Sequence, residues 1–205
     1  MVKIQAFAVG EMQANCYFVI RDQRCVIIDP GDSADFLLEE VARRNFSVDA
    51  LIATHGHFDH IMAVGELQMA LQVPFYISPQ DRFLIERVEE TAKHFLGHSP
   101  VLIKPQEVTN IHSLERDHPE YQIAVIATPG HTPGSCCLHL PEERTLFTGD
   151  TLFKEGIGRY DFSYSDKKQL FTSIQNLQQS LPEETLIYPG HGDPSSLGEE
   201  HLDHW

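Results

Sequence analysis

Short apolar runs, each closed by glycine, proline or aspartate, alternate in the first half of the chain with stretches whose apolar residues recur every three to four positions. The first texture predicts strands and the second amphipathic helices. Runs at 3–9, 16–20 and 25–28 predict three strands, the first two joined through Gly10 and the third ended by Asp29-Pro30-Gly31, and together they predict a β-meander. Ser33 is placed to cap a helix running to about Arg44, with Phe36, Leu37, Val41 and Ala42 on its apolar face and a strand at 50–53 behind it. A helix over 61–71, a strand over 75–77 and a longer polar helix capped by Ser78 and reaching about Phe95 follow.

Beyond that helix the strand texture returns, at 108–111, 121–127, 135–140 and 145–147, joined by turns rich in proline and glycine. A helix at 165–180 and a strand at 185–188 complete the pattern. Strands with helices in both halves predict an α/β (α+β) fold in which two sheets face each other with helices outside, four layers in all. No repeat, low-complexity tract or linker interrupts the 205 residues, which sets the expectation of one domain over 1–205.

Composition then narrows the partners. A net charge of −15, from 30 acidic against 15 basic residues, argues against nucleic acid, because phosphate binding relies on clustered lysine and arginine. Two bound divalent cations would offset part of that charge and make one region locally positive, so an anionic small molecule stays open. No long apolar run or basic-then-apolar leader is present, so the expectation is a cytoplasmic protein without a membrane partner. Of the four cysteines, Cys136 and Cys137 are adjacent and Cys16 and Cys25 lie in apolar strand-like runs, a pattern that reads as buried, reduced thiols.

The chemistry concentrates where the strand at 50–53 ends. His55, His57, Asp59 and His60 fall within six residues, and imidazoles with a carboxylate suit borderline divalent ions. Three later strand ends each add one ligand type inside a glycine-containing turn: His131 in Pro-Gly-His-Thr-Pro-Gly, Asp150 in Thr-Gly-Asp-Thr and His191 in Pro-Gly-His-Gly. Each element alone is commonplace; seven together point to metal. His94, His98, His112, His118, His139, His201 and His204 have no such setting and read as structural or solvated.

These motifs, His-x-His-x-Asp-His, Pro-Gly-His-Thr-Pro-Gly, Thr-Gly-Asp-Thr-Leu-Phe and Pro-Gly-His-Gly, resemble those of the metallo-β-lactamase-fold hydrolases of the glyoxalase II group, and they span nearly the whole chain. The resemblance implies an αββα sandwich, one metal on His55, His57 and His131, a second on Asp59, His60 and His191, and Asp150 bridging both. Zinc is the first expectation, with iron or manganese admitted by the same donors. True β-lactamases of the commonest class place a cysteine among the second metal's ligands, whereas the corresponding turn here carries Asp150 and the nearby thiols, Cys136 and Cys137, read as strand-borne, which demotes antibiotic hydrolysis. Only fourteen residues follow His191, so the resemblance is to short, single-domain members, without the helical domain that binds glutathione.

The activity so implied is thioester hydrolysis of an S-acyl glutathione such as S-lactoylglutathione. Two metals sharing a water would lower its pKa toward ~7 and give a hydroxide nucleophile. A thiolate with a pKa of ~8–9 would leave without a general acid, and Asp59 and Asp150 could also orient the water. Lys154 and Arg159, just after the bridging aspartate, are candidate grips for a substrate carboxylate, though an Arg159–Asp161 pair explains the same residues. The Gly-Arg-x-Asp-Phe run also resembles iron-dependent persulfide dioxygenases of the same fold, which stand as the alternative beside hydrolases of other esters or thioesters. A non-catalytic metal-holding protein and a nuclease rank lower.

Overall fold

The computed structural model describes residues 2–201, and the chain divides into two compact units, Met1–Ile111 and His112–Trp205. The first is built on a six-stranded sheet of β1 (Lys3–Val9), β2 (Ala14–Arg21), β3 (Arg24–Ile28), β4 (Ser47–Ile52), β5 (Phe75–Ile77) and β6 (Thr109–Asn110), paired in that order. The expected meander is present: β1 to β3 are antiparallel. From β3 onward the pairs are parallel, because each connection now crosses over through a helix rather than a tight turn. These helices are α1 (Ala34–Arg44), α2 (Phe58–Ile61), α3 (Val64–Leu71), α4 (Arg82–Glu86) and α5 (Val88–Leu96).

The apolar runs of the sequence become the core of this unit. Phe18, Ile27, Leu51 and Phe75 from the sheet pack with Leu37 and Val41 of α1 and Leu67 of α3, each fully buried side chain contributing ~1.5–3 kcal/mol. Residues 16–20 are buried without alternation, which explains their unbroken apolar run.

Several expected boundaries move. Ser33 starts α1 but does not cap it, since it adopts a left-handed conformation with no side-chain cap bond. Phe36 and Ala42 fall outside the buried stripe of α1, where Leu37 and Val41 are buried. The helix at 61–71 is two helices, α2 and α3, and the one after Ser78 is a short 3-10 turn followed by α4 and α5, broken at Arg87. Ser78 does cap the turn, its hydroxyl accepting from the Gln80 amide at 3.3 Å. The strand at 108–111 shrinks to β6, as Ile111 enters a 3-10 turn.

The second unit carries a five-stranded sheet of β7 (Ala124–Ala127), β8 (Cys136–Leu140), β9 (Thr145–Gly149), β12 (Leu186–Pro189) and β13 (Ser195–Ser196), in the order β13-β12-β9-β8-β7. Only the β9–β12 pair is parallel, and its crossover is α7 (Lys167–Ser180). The short helix α6 (Leu114–Asp117) precedes the sheet, and a small hairpin of β10 (Leu152–Phe153) and β11 (Gly156–Ile157) follows β9. Leu170, Ile174 and Leu177 of α7 pack with Cys137, Leu146 and Ile187 of the sheet. Asp166 is the true cap of α7, its Oδ1 accepting from the Gln169 amide at 3.0 Å. The strand expected at 121–127 loses its first three residues, because Tyr121 closes a 3-10 turn and Gln122 is left-handed.

The expected α/β class therefore holds in both units. All four cysteines are buried and unpaired in disulfides, as their setting in apolar runs suggested. Among the described residues no helix is long and apolar enough to cross a membrane.

Candidate metal centre

The first unit supplies His55, His57, Asp59 and His60 from the loop after β4 and from α2. Burying imidazoles this deeply, with His55 and His60 at 1% and 0% exposure, requires polar partners. For His55, Asp29 at the end of β3 provides one through Thr54. Its Oδ1 accepts the Thr54 amide at 2.7 Å and its Oδ2 the Thr54 hydroxyl at 2.8 Å. Having given its one proton to the carboxylate, Thr54 Oγ1 can only accept from His55 Nδ1, 3.1 Å away. His55 therefore carries its proton on Nδ1 and keeps the Nε2 lone pair for a ligand.

Asp29 also lies beside a second imidazole, without a hydrogen bond to it. Nδ1 of His60 lies 3.2 Å from Asp29 Oδ2, which leaves His60 Nε2 directed elsewhere, 3.8 Å from Asp59 Oδ2. Asp29 holds this position with φ at 50°, a conformation that aspartate tolerates better than most residues. Asp81 secures the intervening loop, its Oδ2 accepting the Gly56 amide at 2.8 Å. Nε2 of His55 and Nδ1 of His57 lie 3.2 Å apart. Two nitrogens on one tetrahedral zinc, each ~2.0–2.1 Å from it, would be separated by ~3.3 Å.

The second unit supplies His131, Asp150 and His191, from the loop between β7 and β8 and from the ends of β9 and β12. The His131 loop is tied at both sides: Ser165 Oγ donates to the His131 carbonyl at 2.7 Å, and the Asp166 amide donates to the Gly130 carbonyl at 2.8 Å. The His131 ring is set by Arg159, whose backbone oxygen accepts from Nδ1 at 2.8 Å. Nε2 of His131 then lies 3.5 Å from Asp150 Oδ2, and Nε2 of His191 lies 3.9 Å from that same oxygen. Gly158 makes this approach possible, because a Cβ there would collide with the Asp150 carbonyl.

Each unit thus gathers side chains of the kind that hold metal ions, His55, His57, Asp59 and His60 in the first and His131, Asp150 and His191 in the second. These are the seven residues singled out in the sequence, and among the described residues no other histidine is grouped in this way. His98 bonds Glu11 at 2.8 Å and His118 lies 3.7 Å from Glu120, while half-buried His139 has its pKa lowered by burial. His204 lies outside the described residues. The donors are imidazoles and carboxylates without a thiolate, a set that fits zinc, iron or manganese.

Lys154 is exposed at the tip of the β10–β11 hairpin. Arg159 grips Asp161 through a two-pronged pair, Nε to Oδ1 at 2.9 Å and a terminal nitrogen to Oδ2 at 2.8 Å. Sequence reasoning passed over Asp29, Thr54, Asp81 and the Arg159 carbonyl. Asp29 was visible as an acid between an apolar strand and Pro30-Gly31, but that setting also describes an ordinary turn.

This mixed α/β architecture with paired His/Asp groups defines a metal-binding hydrolase class. The chain belongs to the metallo-β-lactamase superfamily, whose family model matches residues 9–191. It is 32% identical to the probable metallo-hydrolase YqgX of Bacillus subtilis, over 96% of this chain and 93% of that protein. It is 31% identical to the hydroxyacylglutathione hydrolase GloC of Haemophilus influenzae, over 97% and 95%. Among solved structures, the BLEG-1 B3 metallo-β-lactamase aligns with a TM-score of 0.85 at 31% identity, over 98% of this chain and 97% of that one. TTHA1623 in a di-iron-bound form aligns with a TM-score of 0.81 at 34% identity, over 95% and 96%. ETHE1 from Myxococcus xanthus aligns with a TM-score of 0.72 at 27% identity, over 98% and 83%.

Proposed function

We propose that this chain is a two-metal thioester hydrolase acting on an S-acyl glutathione, with S-lactoylglutathione as the first candidate. The observation that carries the reading is the pre-set orientation of the candidate histidines: His55 and His131 each commit Nδ1–H to a fixed acceptor, which turns Nε2 toward a neighbouring candidate ligand, His57 and Asp150 respectively. His55, His57 and His131 would hold one ion, Asp59, His60 and His191 the other, and Asp150, whose Oδ2 faces a ligand nitrogen of each set, would bridge them. Two divalent ions, zinc in the first instance, would supply a water of lowered pKa and Lewis acidity toward an acyl oxygen.

The chain's own part is positional. Asp29 and the Arg159 carbonyl keep the imidazole protons away from the metal side, and Asp59 and Asp150 present carboxylate oxygens that can also orient a water. The departing thiolate, with a pKa of ~8–9, needs no proton from a side chain. Arg159 is the candidate contact for a carboxylate of the thiol half, with Lys154 nearby in sequence. The likeness to GloC over most of both chains supports this substrate class. The likeness to ETHE1, with the Gly158-Arg159-x-Asp161-Phe162 run, supports an iron-dependent persulfide dioxygenase as the second reading. A cytoplasmic location and a small-molecule partner are part of the same proposal.

The test is thiol release from S-lactoylglutathione by metal-replete protein against the same protein stripped with chelator. Fast, chelator-sensitive release is expected. No release, with oxygen consumed on a glutathione persulfide instead, would replace this reading with the second.

A further inference from the structure

The segment after the β10–β11 hairpin sets Arg159 among aromatic rings beside a candidate metal ligand. The guanidinium carbon of Arg159 sits 4.5 Å over the Phe162 ring. That ring in turn meets His131 edge-on at 6.1 Å and stacks on Tyr164 at 5.5 Å. Together with the Arg159 carbonyl on His131 Nδ1, these contacts hold a planar, two-pronged cation at a defined place next to His131. Such a fork matches a carboxylate. In this structure the fork is filled from within, by Asp161.

Both members of this pair are largely exposed, with side chains 59% and 63% accessible. Water and salt screen such a pair, so it contributes little and exchanges readily. Arg159 nonetheless lowers the Asp161 pKa through the hydrogen bond between them, which keeps Asp161 a competent carboxylate across neutral pH.

We propose that Asp161 is a specificity-determining residue, an internal carboxylate that occupies the Arg159 fork and that a carboxylate-bearing substrate must displace. A ligand with a carboxylate thus gains Arg159 only net of the lost Asp161 contact. A neutral ligand leaves the pair closed and gains nothing from it. The thiol half of the substrate is taken from the thioester reading above, on which this inference rests for its choice of probe.

The experiment is calorimetric binding of S-methylglutathione, which has the carboxylates and no cleavable acyl group, to the metal-loaded protein. Asp161→Asn is expected to bind it about two- to fivefold more tightly than the natural chain, with a steeper loss of affinity on adding salt. Combining it with Arg159→Gln is expected to remove that gain, and the affinity for neutral S-methyl-N-acetylcysteamine should stay the same in all three proteins. Equal or weaker binding by Asp161→Asn, a gain that survives loss of Arg159, or no saturable binding would each overturn the inference. If this pattern appears while S-lactoylglutathione is not hydrolysed, the thioester reading fails and the clamp stands. If hydrolysis proceeds and Asp161→Asn changes nothing, the clamp alone fails.

Discussion

Nδ1 of His131 lies 2.8 Å from the backbone carbonyl of Arg159, twenty-eight residues further along the chain. A main-chain oxygen cannot change its chemistry with the side chain that carries it, so this tether survives substitution of Arg159 and depends instead on the path of the backbone. Gly158 controls that path, since any Cβ there would strike the Asp150 carbonyl and approach His131 Nδ1 at 3.1 Å. Gly158→Ala is expected to destabilise the protein by about 1–3 kcal/mol, as overpacking does, and to lower its metal content. Thermal unfolding with parallel elemental analysis checks both, and an unshifted transition at full metal content would refute the backbone account.

Asp29 offers a sharper test, because one carboxylate anchors Thr54 beside His55 and also lies next to His60. Asp29→Asn keeps the size of the side chain and removes the charge that Thr54 and His60 face. Loss of such an outer partner typically costs 10–100-fold in metal affinity, and that range is expected here in competition with a chromophoric chelator. Affinity within twofold of the natural protein would show that the orientation of His55 and His60 is set elsewhere.

Asp150 presents a single oxygen to both His131 and His191. Asp150→Ala is expected to retain one ion or fewer and to lose thiol release from S-lactoylglutathione. Retention of two ions in this variant would remove the bridging role.

Burial raises the pKa of the Cys16 thiol and carries those of Cys25 and Cys137 up to about 12. Each folded-state value lies above the unfolded value of 9.0, so the stability contributed by these protonated thiols is fully present below pH 9 and is lost between about pH 9 and 12. The native protein is expected to react negligibly with a disulfide reagent at pH 8, and all four cysteines to react once it is unfolded. Rapid native labelling of Cys25 or Cys137 would contradict their burial.

Much of this was legible in the chain. The strands β1 to β5 follow from apolar runs punctuated by Gly10, Asp29-Pro30-Gly31 and Pro74, because backbone-permissive and donor-lacking residues mark chain reversals directly. The seven candidate ligand positions stood out because a metal needs uncommon residue types in close array. The break between α2 and α3 was not visible, since the residues at it, Met62 and Ala63, are both good helix formers. Asp29 and the Arg159 carbonyl were hidden for a different reason. Their roles depend on contacts across 25 to 28 residues of sequence, and a backbone oxygen leaves no signature in residue type.

The account stands on two metal ions per chain, and elemental analysis of the replete, dialysed protein measures that number directly. A ratio of two ions per chain is the expected result, falling together with thermal stability on treatment with chelator. A ratio of one or none in the natural protein would contradict the two-metal centre, whatever substrate it hydrolyses.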